Sequence, residues 1–138
     1  MSHNVVGRLP GNGDGSSLLF NGHMDVNATD LAVGGTAFTM YSTWTRDPFT
    51  LIEENGFFYG RGTSDMKAMS ATWVDAMARF KQSGFRPKRD IKLALTCGEE
   101  TNGAFNGVEW LTANKRDLID AEFALNEGGG GDSDGKGK

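Results

Sequence analysis

The sequence predicts an α/β fold in which a mixed, largely parallel sheet is flanked by helices. From residue 57 onward, apolar runs of strand length alternate with segments of helical period, in the order strand, helix, strand, helix, strand. Strands that alternate with helices form parallel crossovers in one sheet. The chain has 138 residues, which is enough for one domain with a hydrophobic core.

The N-terminal part indicates two short strands, at residues 4–10 ("NVVGRLP") and 16–22 ("SSLLFNG"). Between them, residues 11–15 ("GNGDG") contain Asn-Gly and Asp-Gly, which are typical of tight hairpin turns. We therefore expect a hairpin to precede the alternating part of the chain. Residues 26–48 show no clear period, and we expect them to be mostly loop.

The middle of the chain indicates a strand at 57–62, entered through the turn "ENG", and then a helix at 65–84. Ser64 is a suitable N-cap for this helix, and Gly84 is a suitable C-terminal stop. Its apolar residues recur at helical spacing and predict one buried face, formed by Met69, Trp73, Met77 and Phe80.

The C-terminal part indicates a strand at 90–96, a helix at 106–119 and a strand at 121–126. Alternating apolar residues mark the first of these strands, and the helix is expected to direct Val108, Leu111 and Leu118 inward. The glycine-rich tail at 128–138 has nothing to bury, and we expect it to be mobile.

Charge and composition exclude several classes of function. The net charge is −4 and no basic cluster is present, which argues against nucleic acid and membrane surfaces as main partners. No apolar run approaches the roughly 18 residues that a membrane span requires. The single cysteine, Cys97, forms no internal disulfide and is expected to be packed and inert. Together with the lack of a signal pattern at the N-terminus, this favours a cytoplasmic location, unless a signal has been removed.

Ionisable side chains follow each of four predicted strands, at the point where the strand ends. In open α/β sheets, ligands bind beyond the carboxyl ends of the strands. If these four strands share one sheet, their terminal side chains converge. The residues concerned are His23 and Asp25, Asp65, Glu99 and Glu100, and Glu127.

A cluster of one imidazole and several carboxylates needs a counter-ion, because like charges within about 4–6 Å raise each other's pKa. A divalent cation resolves this repulsion, and oxygen ligands with one nitrogen suit zinc, cobalt or manganese. Each residue alone has a simpler explanation, such as a strand-end histidine, a turn cap, a helix-dipole partner or a solvated loop charge. The repetition at four strand ends favours the metal centre.

Four segments of the chain resemble a known superfamily. They are "LLFNGHMDV", "WTRDPF" followed by "NGFFYGRGTSDMK", "LTCGEETNG" and "FALNEGG". The superfamily is that of the zinc-dependent aminoacylases, acetylornithine deacetylases, succinyl-diaminopimelate desuccinylases and carboxypeptidases, which are co-catalytic metallohydrolases. The resemblance extends from about Asn4 to about Gly130 and implies the catalytic-domain fold of the zinc exopeptidases.

The resemblance implies a pair of divalent ions, most often zinc, and a role for each ligand. His23 is similar to a terminal ligand of one ion, and Asp25 to the residue that orients and polarises this imidazole. Asp65 is similar to the carboxylate that bridges both ions. Glu127 is expected to complete the first ion's shell, and Glu100 to bind the second ion.

Glu99 resembles the general base of these enzymes. In that role it takes a proton from the metal-bridging water, which attacks an amide carbonyl, and delivers the proton to the leaving amine. This explains why two carboxylates are adjacent, since one binds metal and the other moves protons. The resemblance also implies a cis peptide bond between Asp65 and Met66.

Two departures concern the second metal and the substrate. The superfamily supplies another histidine far downstream to the second ion, whereas this chain contains only His3 and His23. It also inserts a lid domain that closes over the substrate and often forms a homodimer. We therefore interpret residues 1–127 as part of a catalytic domain, followed by the tail at 128–138. The second metal site is expected to be incomplete, and the chain alone to be inactive.

Several functions remain open at this point. The substrate implied is a small peptide or an N-acyl amino acid, and carboxypeptidase, dipeptidase and deacylase activities are not separated by these residues. A catalytically dead metal-binding or interaction module on the same scaffold is the alternative. Glu99 distinguishes them, since a binding module has no use for a base beside the metal ligands. An α/β domain with an incidental acidic edge is the third interpretation.

Overall fold

The computed structural model of the chain describes residues 3–13, 15–26, 44, 46–101 and 105–127. Within these ranges the chain forms strands and helices in the following order: β1 (Val5–Leu9), β2 (Gly15–His23), β3 (Ile52–Glu54), β4 (Phe57–Tyr59), α1 (Lys67–Gln82), β5 (Arg89–Thr96), α2 (Gly107–Asn114), α3 (Arg116–Ile119) and β6 (Phe123–Asn126). The expected tail lies outside the described residues, as does most of the expected loop at 26–48. Among the helices that are described, none is both long and apolar enough to cross a membrane.

The main sheet has the strand order β1-β5-β2-β6. Strand β2 runs parallel to both β5 and β6, whereas β1 is antiparallel to β5. The prediction of a mixed, largely parallel sheet is therefore confirmed. Strand β4 does not belong to this sheet, because it pairs with β3 in a separate two-stranded sheet. The expectation that all four site-bearing strands share one sheet is thus wrong for this strand.

The predicted hairpin between β1 and β2 is also wrong, because β5 lies between these strands. The segment that connects β1 and β2 contains glycines because its backbone lies directly against the backbone at the start of β5. A Cβ added at Gly11 would lie 2.6 Å from the carbonyl carbon of Arg89, and one at Gly13 would meet the carbonyl oxygen of Lys88. The amide of Asn12 donates to the carbonyl of Pro87 at 2.9 Å. The connection therefore passes directly over the start of β5.

Gly11→Ala is expected to lower the free energy of unfolding by about 1–3 kcal/mol, the usual cost of forcing extra atoms into a packed site. The clash is with backbone atoms of β5, which cannot move aside without disturbing the sheet. Gly7→Ala is the matched control, since a Cβ at this β1 residue meets nothing within 4 Å. Urea denaturation of both variants checks this, and equal stabilities would contradict the close approach.

Strands β3 and β4 form a hairpin around the predicted "ENG" turn. Asn55 and Gly56 have φ values of 53° and 79°, as a two-residue type I′ turn requires. After the hairpin, the amide of Arg61 donates to the carbonyl of Pro48 at 2.7 Å, and the amide of Lys67 to the carbonyl of Gly62 at 3.0 Å. These bonds fix the segment that leads into α1.

Helix α1 begins at Lys67, and no side chain caps its N-terminus. The prediction that Ser64 is the N-cap is therefore wrong. Met66 stands at the cap position instead. Its side chain is buried against Gly22, and its Sδ accepts a hydrogen bond from the amide of His23 at 3.2 Å. The peptide bond between Asp65 and Met66 is cis, as the resemblance implied. The start of α1 is thus fixed by a buried thioether.

The end of α1 confirms the predicted stop at Gly84. This residue has a φ of 71°, and its amide donates to the carbonyl of Lys81 at 3.2 Å. The amide of Phe85 donates to the carbonyl of Phe80 at 3.0 Å, and the two rings lie 5.0 Å apart. This is a Schellman motif with its apolar contact.

Helix α1 covers one face of the sheet. The rings of Trp73 and Phe20 lie 5.4 Å apart, and an apolar cavity between helix and sheet is lined by Leu18, Met77, Phe80, Ile91 and Leu93, among others. Met69 and Phe80, both predicted for this buried face, are 44% and 39% exposed, so the prediction is wrong for these two residues. On the side of α1 that faces the sheet, the buried residues before Trp73 are Ser70 and Met66 instead.

Helices α2 and α3 lie where one helix at 106–119 was predicted. The helix breaks at Lys115, whose φ and ψ are −146° and 43°. Before the break, Leu111 is buried at 3% exposure, as predicted. After it, Leu118 is 43% exposed, so its predicted inward position is wrong. The break ends the helical period on which that prediction depended.

Lys92 of β5 explains how the C-terminal end of α3 is held against the sheet. This lysine is buried, and its Nζ donates to the carbonyls of Asp117 at 3.1 Å and Asp120 at 2.7 Å. A cation at the C-terminal end of a helix satisfies carbonyls that have no partner within it. The face of β5 that carries Lys92 therefore lies against α3.

Candidate metal centre

The carboxyl ends of β2, β5 and β6 meet at one edge of the sheet, because these three strands are parallel. His23 ends β2 and pairs with Thr96, the last residue of β5. Glu99 and Glu100 follow β5, and Glu127 follows β6 directly. Asp65 reaches this edge from the segment between the β3–β4 hairpin and α1. Three of the four site-bearing segments thus follow the strand-end rule, and one arrives by another path.

His23 lies at the centre of the cluster and is only 2% exposed. Its Nε2 lies 2.9 Å from Oδ1 of Asp65, 3.7 Å from Oε2 of Glu127 and 4.0 Å from Oε2 of Glu99. Its Nδ1 lies 2.9 Å from the main-chain oxygen of Asp25, which can only accept a hydrogen bond. Oδ1 of Asp65 can likewise accept a hydrogen bond from Nε2, so either nitrogen can carry the proton of the neutral imidazole, and metal binding by Nε2 requires it on Nδ1. The lone pair of Nε2 then faces three carboxylates.

This donor set fits a divalent cation. A lone pair and carboxylate oxygens that face one another repel unless a proton or a cation lies between them. Two overlapping groups have ligand atoms within 4.8 Å of one another: His23 with Asp65 and Glu127, and His23 with Glu99 and Glu100. The first group contains the three residues expected to hold one ion. One nitrogen with several carboxylate oxygens is compatible with zinc, cobalt or manganese.

Asp25 contacts the cluster through different atoms than expected. Its main-chain oxygen makes the short contact with Nδ1 of His23, whereas its carboxylate Oδ1 lies 3.8 Å from that nitrogen. The carboxylate instead accepts hydrogen bonds from the amides of Glu99, at 3.4 Å, and Glu100, at 3.0 Å. The main-chain oxygen of Asp25 is thus the nearer partner of the imidazole, and the role of the Asp25 side chain in orienting it stays a prediction.

The electrostatics of the cluster favour protons on two residues. Burial alone lowers the pKa of His23, but hydrogen bonds to the Asp25 backbone and the Asp65 side chain, with the charges of Asp65 and Glu99, raise it above 6.5 overall. Burial raises the pKa of Glu100 above 4.5, and the charges of Asp65, Glu99 and Asp25 raise it further against the opposing effect of His23. Both groups therefore hold protons to higher pH than they would in water.

Three hydrogen bonds support the site but were not singled out from the sequence. The Asn21 side chain donates to that of Asn126 at 2.5 Å, and Asn126 donates to the carbonyl of Glu127 at 2.7 Å. The Sδ of Met66 accepts from the amide of His23. The strand-end rule could have pointed to Asn21 and Asn126, since both lie close to a predicted ligand. The sulfur contact has no sequence signal.

A cavity of about 450 Å³ opens beside His23. Its lining includes Asn21, Cys97, Glu99, Val108, Asn126 and Glu127. Cys97 is half-buried, and its Sγ lies 3.6 Å from Oδ1 of Asn4, which is consistent with the packed thiol that was expected. The cavity has the size of a site for a small ligand, and the candidate base lies on its wall.

A mixed α/β sheet that gathers one histidine and several carboxylates at its carboxyl edge is typical of metallopeptidases and related metal-dependent hydrolases. Within that class, the chain belongs to peptidase family M20/M25/M40, whose sequence pattern matches residues 19–137. The resemblance inferred from four short segments, and the fold it implied, are thus confirmed.

Individual relatives carry different names. The chain is 34% identical over 131 residues to β-Ala-Xaa dipeptidase of Lactobacillus delbrueckii subsp. lactis, covering 91% of this chain and 25% of that protein. It is 32% identical over 115 residues to aminoacylase-1B of Rattus norvegicus, covering 82% and 26%. Among solved structures, the M20 family metallo-carboxypeptidase Sso-CP2 of Sulfolobus solfataricus matches with a TM-score of 0.68 and 28% identity, covering 92% and 26%. The chain spans about a quarter of the length of each relative.

Proposed function

We propose that this protein hydrolyses an amide or peptide bond of a small peptide or an N-acyl amino acid, with two divalent ions, zinc being favoured. The observation that carries the proposal is the position of His23 Nε2, which faces the carboxylates of Asp65, Glu127 and Glu99 within 4.0 Å. The names of the relatives, a dipeptidase, an aminoacylase and a carboxypeptidase, support small substrates with such a bond.

In this proposal, His23, Asp65 and Glu127 would hold one ion, and Glu100 with Asp65 would hold the second. When bound, such ions polarise the substrate carbonyl and lower the pKa of water. The hydrogen bond from Nδ1 of His23 to the Asp25 backbone keeps Nε2 available as a ligand atom. The Asn126 side chain holds the carbonyl of Glu127 and so fixes the backbone at this ligand.

Glu99 is the proposed general base. Its side chain is 51% exposed and lines the cavity beside His23, so it can reach both water and substrate. It accepts a proton from the attacking water and then donates it to the leaving amine. Glu100 is less suited to this role because it is less exposed than Glu99, which favours a ligand position.

The chain by itself is proposed to have little activity. Its sequence contains no histidine other than His3 and His23, and among the described residues His3 is in neither group whose ligand atoms can meet, so the second ion lacks a second nitrogen ligand. The proposal for the second ion therefore depends on residues of a full-length protein at the length of its relatives.

The test is hydrolysis by the full-length protein after its metal has been removed with a chelator. We expect activity to disappear and to return with zinc, on at least one of a β-alanyl dipeptide, an N-acetyl amino acid and a peptide with a free C-terminus. The substrate that is cleaved distinguishes dipeptidase, deacylase and carboxypeptidase. Tight zinc binding with no turnover on any of them would instead support the metal-binding module.

A further inference from the structure

We propose that Asn4 is a positioning residue for the segment that carries Glu99 and Glu100. Cys97 directly follows β5 and begins this segment, and Gly107 is the first residue of α2. The side chain of Asn4 bonds to both: its Oδ1 accepts from the amide of Cys97 at 3.3 Å, and its Nδ2 donates to the carbonyl of Gly107 at 3.3 Å. The roles of the two glutamates rest on the proposed function, whereas these hydrogen bonds do not.

The two residues that Asn4 joins also bond to each other directly. The amide of Gly107 donates to the carbonyl of Cys97 at 2.7 Å, so one backbone bond and the side-chain amide of Asn4 hold them together. Gly107 is buried, and a Cβ at this position would collide with Oδ1 of Asn4 and with backbone atoms of Cys97. The lack of a side chain at Gly107 therefore makes room for Asn4. We call this junction of Asn4, Cys97 and Gly107 the neck.

The amide group of Asn4 fits the neck in one orientation only. A backbone N–H can only donate and a carbonyl can only accept, and Oδ1 and Nδ2 of Asn4 meet them in the matching sense. The thiol of Cys97 also donates to this Oδ1, at 3.6 Å. Rotation of the amide by half a turn would set donor against donor and acceptor against acceptor, so the network fixes the assignment. Asparagine thus satisfies both sides of the neck, which neither alanine nor aspartate can do.

The position of Asn4 in the fold explains why a side chain does this work. Strands β1 and β5 pair in antiparallel register as far as Val5 and Leu95. Asn4 lies one residue before β1, and Cys97 lies two residues beyond the last pair. The side chain of Asn4 therefore continues the pairing of the two strands to the place where the chain leaves the sheet.

The neck determines where the candidate base lies. Glu99 follows Cys97 by two residues, and its Oε2 lies 4.0 Å from Nε2 of His23. Between them, Gly98 has a φ of 84°, and its carbonyl accepts from the side chain of Asn106 at 3.5 Å. A displacement of the neck is therefore passed along a short, bonded stretch of backbone to Glu99. A displacement of about 1 Å at a reacting group can cost about 10²-fold in rate, even when the substituted residue is far from the chemistry.

The first measurement is amide hydrogen exchange by NMR in the chain. In Asn4→Ala, exchange at Cys97 and Gly107 is expected to accelerate by about tenfold or more, since the neck loses both bonds to the side chain. Asn4→Asp keeps an acceptor for the amide of Cys97 but sets an oxygen against the carbonyl of Gly107, so we expect it to restore protection at Cys97 alone. Exchange at Leu93, in the middle of β5, is expected to stay at the wild-type rate in both variants.

Asn12→Ala is the matched control. Asn12 is exposed and lies near the start of β5, where its backbone amide, which alanine retains, donates to the carbonyl of Pro87. Its replacement should leave exchange at Cys97 unchanged. In Asn4→Ala, an equal acceleration at Leu93 would reveal a general loss of stability and would overturn the proposal, as would unchanged exchange at Cys97. If the Asn4 variants fail to fold, the wild-type chain decides: a Cys97 amide that exchanges as fast as in a free peptide would equally overturn it.

Steady-state kinetics of the full-length protein, with zinc added, give the readout at the site. In Asn4→Ala, kcat is expected to fall about 10–100-fold while KM stays close to the wild-type value, because the base is displaced and substrate binding is not. Asn4→Asp is expected to recover part of kcat, and Asn12→Ala all of it. Unchanged kcat together with accelerated exchange at Cys97 would overturn the positioning role. A wild-type protein without turnover on any substrate would instead refute the proposed function, and the exchange measurements would then decide whether Asn4 holds the neck.

Discussion

Replacing Glu99 by glutamine in the full-length protein is expected to lower kcat by about 10²–10⁴-fold, the usual contribution of a positioned general base. Glutamine has nearly the same size but cannot accept a proton at neutral pH. The side chain of Glu99 is half exposed at the cavity wall, so its replacement should disturb little of the fold. The measurement combines steady-state kinetics with metal analysis, and the metal content should remain that of the wild type.

The same measurement tests the assignment of the two adjacent glutamates. Both belong to the group whose ligand atoms can meet at His23, so the geometry alone allows either to bind metal. Loss of metal in Glu99→Gln, with retained metal in Glu100→Gln, would show that the two roles are reversed. Glu122→Gln is the control, since Glu122 pairs with Arg89 at the far end of the sheet and should affect neither property.

The sequence predicted the centre of the site well, because strand ends are a local signal. His23, Glu99 and Glu127 each follow an apolar run, and parallel pairing of these runs is enough to bring them together. Asp65 reached the correct place by a route that the sequence did not reveal. Its strand, β4, pairs with β3, and only the turn into α1 carries the carboxylate to the edge of the main sheet.

The errors have a common physical origin, in that they concern contacts between distant parts of the chain. Asn-Gly and Asp-Gly favour a hairpin locally, but β5 pairs with β1 along its whole length and lies between the two strands. Gly13, one of the glycines that suggested a turn, is required by the backbone of Lys88, about 75 residues away in sequence. No local pattern contains that information.

The atomic role of Asp25 illustrates the same limit at the site. A short-range pattern, histidine followed two residues later by aspartate, suggested that the two side chains interact. The structure joins the histidine ring to the aspartate backbone, and it directs the carboxylate to amides some 75 residues later in the chain. The sequence identified Asp25 as a residue of the candidate site. Only the fold shows which of its oxygens makes each hydrogen bond.

The apparent zinc affinity of the chain is expected to rise steeply with pH, by up to about tenfold per pH unit for each proton that zinc displaces. Hydrogen bonds to Asp25 and Asp65 outweigh burial and raise the pKa of His23, and burial with nearby charges raises that of Glu100. In the metal-free chain, raised pKa values stabilise the fold at pH below the unfolded values, and this stabilisation is lost as pH rises through the folded values. Zinc binds the deprotonated groups. Its stabilisation of the folded chain therefore increases as the pH rises.

Titration calorimetry from about pH 5.5 to about pH 8, in buffers of different ionisation enthalpy, counts the protons released and so checks this linkage. The difference in Tm between zinc-loaded and metal-free chain should widen over the same interval, because one form loses stability while the other gains it. His3→Ala is the control, since the only other histidine of the chain should not change the pH dependence. A zinc affinity that does not vary with pH would mean that neither His23 nor Glu100 gives up a proton to the metal, and the proposed ligand set would have to be abandoned.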